Sequence, residues 1–133
     1  MSEPIDSDTA PTSFGVFKPV GHVMLGLPTA AHVDALAAEL RQTGWTDDRV
    51  QRFTPRETVP ELEAMIEQSG PLAGFGSEIG MLRRYLELSR KGCRWLLVKV
   101  DGTEQAEQVA TLARAADAML AVHYRMLTVE ELI

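Results

Sequence analysis

A chain of 133 residues with 45% hydrophobic content is long enough for one domain with a sizeable buried core. Its formal charge of -6 argues against nonspecific nucleic-acid binding, which needs clustered Lys and Arg to displace counterions. No stretch approaches the roughly 18 uncharged apolar residues of a membrane-spanning helix. The single cysteine, Cys93, excludes an intramolecular disulfide and fits a reducing compartment. The expectation is a soluble cytoplasmic protein with neither a membrane nor a nucleic acid as partner.

Residues 1–13 carry Glu3, Asp6 and Asp8, with little hydrophobicity and two prolines. Such a segment buries too little apolar surface to offset its own ordering entropy, so a flexible tail without signal-peptide character is expected. Phe14, Val16 and Phe17 are the first residues suited to touch a folded body. Residues 20–27 read as the first strand, with Val23, Leu25 and Leu27 on one face and Val20, His22 and Met24 on the other; Pro28 ends it. Thr29 is the expected N-cap of a helix over 30–43, whose Val33, Leu36, Ala37 and Leu40 form one apolar stripe. Gly44 closes that helix.

Asp47-Asp48 turns the chain into a short, weakly apolar strand over 50–54, suited to a sheet edge. Two capping boxes follow, Thr54 to Glu57 and Thr58 to Glu61. The second is expected to open the next helix, because Leu62, Met65 and Ile66 supply its stripe. Gly70-Pro71 breaks it, 72–76 link, and Ser77 caps a further helix to Lys91, so that 57–91 form a helical hairpin. Residues 93–100 are the clearest strand, with Leu96, Val98 and Val100 on one face and Cys93, Trp95 and Leu97 on the other. A strand apolar on both sides belongs inside a sheet covered on both faces. A helix from 101 or 103 to about 116 and a strand over 119–124 complete the body. Residues 128–133 are either a helical turn or a strand.

Two strand–helix–strand units of similar length, 20–54 and 93–124, suit a single α+β domain over 14–133. Interleaved with apolar strands at the centre, they form a ferredoxin-like sandwich with the helical hairpin inserted between strands two and three. The alternative is a flavodoxin-like parallel α/β sheet that uses the insertion as a crossover. In the first arrangement both long helices lie on one face, so the face carrying Trp95 and Met24 needs the hairpin or a second subunit as its cover.

The laid-out chain resembles the uncharacterised bacterial general stress protein family. The matching residues are Gly15-Val16-Phe17, the helix with Leu36, Leu40 and Gly44, the Asp47-Asp48 turn, and Gly70, Gly74, Gly76 and Gly80. The likeness covers most of 14–124. It departs in the middle, where Arg83, Arg84 and Glu87 make a charged amphipathic hairpin in place of a glycine-rich stretch. The resemblance implies a stress-associated domain rather than an enzyme, and offers no catalytic residues.

No motif identifies a reaction, and no cofactor, metal or catalytic residue is expected. The Gly74 to Gly80 stretch superficially suggests a phosphate-binding loop, but it follows a helix, lacks the Gly-Lys-Ser/Thr of a P-loop, and places Glu78 where it would repel phosphate. His22 and His123 are expected on strands that could bring them together across the sheet. Arg83-Arg84-Tyr85 with Arg90-Lys91 is the densest basic patch, able to hold an acidic ligand or to stack RNA on Tyr85, though a solvated helix face is the plainer reading. The residues expected at a pocket or partner surface are His22, Met24, Glu78, Arg83, Arg84, Tyr85, Trp95 and His123. The leading expectation is a noncatalytic homodimer, or another protein–protein or small-ligand-binding domain. Its rival is an enzyme or ligand sensor with a pocket between sheet and hairpin.

Overall fold

The computed structural model describes residues 20–69, 77–125 and 129–133. The N-terminal tail, the contacts expected of Phe14, Val16 and Phe17, the Gly70-Pro71 break and the 72–76 link lie outside the described residues. Strands β1 (His22–Leu27), β2 (Val50–Phe53), β3 (Arg94–Lys99), β4 (Leu120–Tyr124) and β5 (Val129–Glu131) form one open sheet in the order β2-β3-β1-β4-β5. Every pairing in it is antiparallel. The protein is therefore α+β, and the parallel flavodoxin-like alternative is overturned. The reason is visible in β1 and β2. Both run opposite to β3, which lies between them, so α1 returns the chain across one strand's width and leaves a slot that the second unit fills. The expected strand over 20–27 is shorter than read, because Val20 and Gly21 form a turn in which Gly21 takes a φ of 84°. The ambiguous C-terminal element is strand β5, paired with β4.

Helix α1 (Ala30–Thr43) follows the sequence reading to the residue. The Thr29 hydroxyl accepts from the His32 N–H, and Gly44 ends the helix at a φ of 122°, a conformation that favours glycine. The Gly44 N–H donates to Arg41 O and the Trp45 N–H to Leu40 O, a Schellman turn. Helix α2 (Pro55–Ser69) corrects the choice between capping boxes. The Thr54 N–H donates to Glu57 Oε1 at 2.9 Å, so the first box opens the helix. Thr58 is fully buried, and its hydroxyl donates to Ser89 Oγ at 3.1 Å, so it packs the hairpin instead of capping. Pro60 then lies inside the helix, where a missing N–H costs about 3 kcal/mol. Helix α3 (Ser77–Arg90) and helix α4 (Thr103–Ala115) lie where the sequence places them.

The strand faces part the helices into two layers. Val23, Leu25, Leu27, Leu96 and Val98 pack against Val33, Leu36 and Leu40 of α1 and Ala106, Val109 and Ala113 of α4. Met24, Trp95, Leu97, Leu120, Val122 and Tyr124 pack on the other side with Leu62 of α2 and Tyr85 of α3. The hairpin is thus the cover of the second face. Gly26 lies opposite Trp95, and a Cβ there would stand 3.0 Å from both the Trp95 ring and Cys93 Sγ. A side chain at this position would force the indole or the thiol to give way by a few tenths of an ångström.

Candidate functional site

Two regions hold the chemistry-bearing side chains. The first is the layer between the sheet and the hairpin. Trp95 is fully buried, and its indole N–H donates to Ser89 Oγ at 2.8 Å, the same oxygen that accepts from Thr58. Tyr85 packs edge-on against Trp95, with ring centroids 5.4 Å apart, and shares a 2.7 Å hydrogen bond between hydroxyls with Tyr124. Burial, followed by the neighbouring Tyr124, pushes the Tyr85 phenol far above its ordinary range. Cys93 lies beneath the same layer, and burial pushes its thiol up to about 11. It is therefore a thiol, not a thiolate, at neutral pH, and a poor nucleophile.

The second region is a groove of about 290 Å3 between α1 and the edge strand β2, lined by Ala37, Arg41, Trp45, Asp47, Val50 and Arg52. Its floor follows from local sequence. The Schellman turn at Gly44 directs Trp45 back under the sheet, where its indole N–H donates to Lys99 O at 2.8 Å. Ion pairs fence it: Arg41 with Asp47 at 2.9 Å and Arg52 with Asp34 at 2.6 Å. All four side chains are more than half exposed, so these pairs position the groove walls more than they stabilise the fold. Sequence reasoning missed this groove. The available signal was the apolar Trp45 placed one residue past the helix-ending glycine.

Of the residues expected at a pocket or partner surface, His22, Met24, Tyr85 and Trp95 lie on the hairpin side of the sheet, whereas His123 lies on the other side and Arg83 and Arg84 on the outside of α3. His22 is buried on the hairpin face, opposite Tyr124, with its Nδ1–H donating to Val20 O at 3.1 Å. His123 is buried opposite Val23, on the α1 and α4 face. The two histidines lie on opposite sides of the sheet and do not meet, because the register offsets them by one residue. His123 Nδ1 stands 3.8 Å from Glu130 Oε1, which also lies 3.9 Å from Arg125. Met24, Tyr85 and Trp95 belong to the hairpin-side core. With Tyr85 only 2% exposed, its ring is closed to a stacking base. Arg83 and Arg84 are exposed on α3, with Arg84 3.7 Å from Glu131. Lys91 pairs with Glu87 one turn away, and Arg90 pairs with Glu63 of α2. The basic patch is a solvated helix face laced with acids. Glu78 falls in the first turn of α3, and its side chain lies outside the described residues, as do Gly74 to Gly76 of the loop once compared with a phosphate site.

Among the described residues, no three His, Cys, Asp or Glu side chains are grouped to hold a metal ion, and no helix is long and apolar enough to cross a membrane. Comparison with protein-family models, with curated proteins and with solved structures finds no match.

Proposed function

We propose that this chain is a noncatalytic binding domain of ferredoxin-like topology that acts by protein–protein contact as a homo-oligomer. The topology rests on the interleaving of two β-α-β units in the order β2-β3-β1-β4, with β5 added outside β4. The observation that carries the function is the outer flank of β2, which pairs with no other strand among the described residues. One flank of this strand pairs with β3, and the other is the sheet edge, with the α1 groove alongside it. An edge strand offers unpaired backbone N–H and C=O groups, and a neighbouring groove offers side-chain selectivity; together these are the elements of strand-addition binding. The titratable groups point the same way, since Cys93, Tyr85, His22 and His123 are all built into packing. A cytoplasmic, stress-associated role, from the lone buried cysteine and the likeness to the general stress family, belongs to this reading. Light scattering on size-exclusion fractions tests it: a mass above that of one chain is expected, and a strictly monomeric chain at every concentration sinks the reading.

A second reading, a ligand sensor with its pocket between sheet and hairpin, is favoured by one observation. Gln51 Oε1, on the hairpin side of β2, and Glu61 Oε1, beside Leu62 on α2, are buried acceptors without a hydrogen-bond partner. A small molecule bearing N–H or O–H donors would satisfy them. A thermal-shift response to a metabolite panel that disappears in Glu61→Leu supports this reading; a flat response across the panel removes it.

A further inference from the structure

We propose that the groove between α1 and β2 is a binding site for a small organic carboxylate with an apolar body, its carboxylate held between Arg41 and Arg52. The site goes beyond the protein-binding reading above and needs no free strand edge, so ligand response and oligomeric mass are read separately.

The groove is a window in a built frame. Asp34, Ala37 and Arg41 succeed one another at helical spacing along α1. At one end Arg52 of β2 reaches Asp34 at 2.6 Å, and at the other Arg41 reaches Asp47 at 2.9 Å. Two ion pairs thus tie the helix to the strand and to the turn that leads into it. Ala37, between them, contributes only a methyl group, which leaves the gap open. Trp45 and Val50 complete the apolar part of the lining. The Trp45 indole N–H already donates to Lys99 O, so this side chain offers the groove hydrocarbon and no donor.

The charge of the occupant follows from the same residues. Two guanidinium groups and one carboxylate line the groove. Arg41 gives both Nε and Nη2 to a single oxygen, Asp47 Oδ1, and Arg52 gives Nη1 to Asp34 Oδ1. Arginine donates from all three of its guanidinium nitrogens. Arg41 Nη1 and Arg52 Nε and Nη2 therefore have donors that meet no acceptor among the described residues. The acids orient the two forks without consuming them. Exposed ion pairs of this kind are weak, so each guanidinium can take a second acid at small cost. A planar carboxylate matches these forks, whereas an ammonium group meets like charge. Inorganic phosphate would satisfy the forks but leave Ala37, Trp45 and Val50 uncovered. A volume of about 290 Å3 stands at the small end of ligand pockets and limits the apolar body to a single ring or a short branched chain.

Benzoate is the probe that tests this site. Of the two tryptophans, Trp45 lines the groove and Trp95 lies in the hairpin-side core. In 1H–15N spectra of the full chain at low salt, benzoate should move the indole N–H resonance of Trp45 and leave that of Trp95 in place, with a dissociation constant of about 1 mM or tighter. Arg41→Gln combined with Arg52→Gln keeps polar side chains but removes both charges, and should weaken binding at least about tenfold. Ala37→Met fills the window without touching a charge and should weaken it as much. The dispersed spectrum of each variant without probe shows that it is folded. Benzylamine and inorganic phosphate should each bind at least about tenfold more weakly than benzoate. A Trp45 resonance that stays still up to about 20 mM benzoate overturns the site. Benzoate binding that survives either substitution places the probe elsewhere and overturns it as well. Equal binding of benzylamine overturns the anionic class, and equal binding of phosphate overturns the apolar body.

Discussion

Beneath α1 and α4, the sheet meets leucines, valines and alanines: Leu25, Leu36, Leu96, Val109 and Ala113 lock by shape alone. Beneath the hairpin, the layer holds Trp95, Tyr85, Tyr124 and Phe53, with the Thr58 and Ser89 hydroxyls joined to the Trp95 indole N–H and the Tyr85 and Tyr124 hydroxyls joined to each other. One layer is held mainly by volume, with the Trp45 indole N–H to Lys99 O bond at its border, and the other by volume together with side-chain hydrogen bonds between its helices and strands. The difference teaches that the long helices are interchangeable in detail, whereas the hairpin is keyed. Ser89 accepts from both Trp95 and Thr58, so strand β3, helix α3 and helix α2 meet at one oxygen. Such a network fixes the position of the hairpin as apolar contact alone would not.

The largest break in this comparison should come from Trp95→Ala. Loss of a fully buried indole and its bond to Ser89 should cost about 3–5 kcal/mol in chemical denaturation. A loss under about 1 kcal/mol would show that the hairpin does not grip the sheet through this ring. Ser89→Ala should cost about 1–3 kcal/mol, because it leaves the donors of Trp95 and Thr58 buried without their acceptor. On the opposite face, Leu36→Met changes shape at nearly constant volume and should cost less than about 1.5 kcal/mol. If Ser89→Ala proves milder than Leu36→Met, the keyed layer is no more specific than the apolar one.

The smallest effect is a pH dependence on the α4 side. Burial holds the His123 imidazole below its usual range, outweighing the upward pull of Glu130; Arg125 adds to the lowering, and Glu107 of α4 opposes it. The unfolded chain takes up that proton near pH 6.5, and the folded chain only at lower pH. The stability tied to neutral His123 is therefore complete above about pH 6.5 and is lost as the pH falls through the window below it. Denaturation midpoints measured between pH 7.5 and 5.5 should fall more steeply for the natural chain than for His123→Gln. Equal slopes would show that His123 titrates as it does in the unfolded chain.

Helix α1 was legible to the residue because its signals are local: the Thr29 cap, one apolar stripe and Gly44. The edge position of β2 was legible from its weak apolar pattern, and the double-sided burial of β3 from its residues on both faces. The start of α2 was not, since two boxes compete and the choice depends on Ser89, which lies 31 residues from Thr58. Whether His22 and His123 meet was not legible for a related reason. Composition marks a strand but not its register against a distant strand, and one residue of offset exchanges the faces. The cover of the Trp95 face was also hidden, because an amphipathic hairpin can pack on its own sheet or on another, and nothing local distinguishes the two. The α1 groove arises from the turn at Gly44 acting together with the β2 edge, a combination that exists only in three dimensions.

The position of β1 at the centre of the sheet bears on the order in which the chain becomes a protein. This strand precedes the other elements of the described chain, yet both of its neighbours, β3 and β4, are made only after α1, β2 and the hairpin. Until β3 and β4 are made, its six buried residues have no sheet to join. The early half therefore has helix α1 but no completed β-structure, and folding waits for a late, long-range closure of a slow, nonlocal kind. A central strand made first and used last commits this domain to forming as a whole.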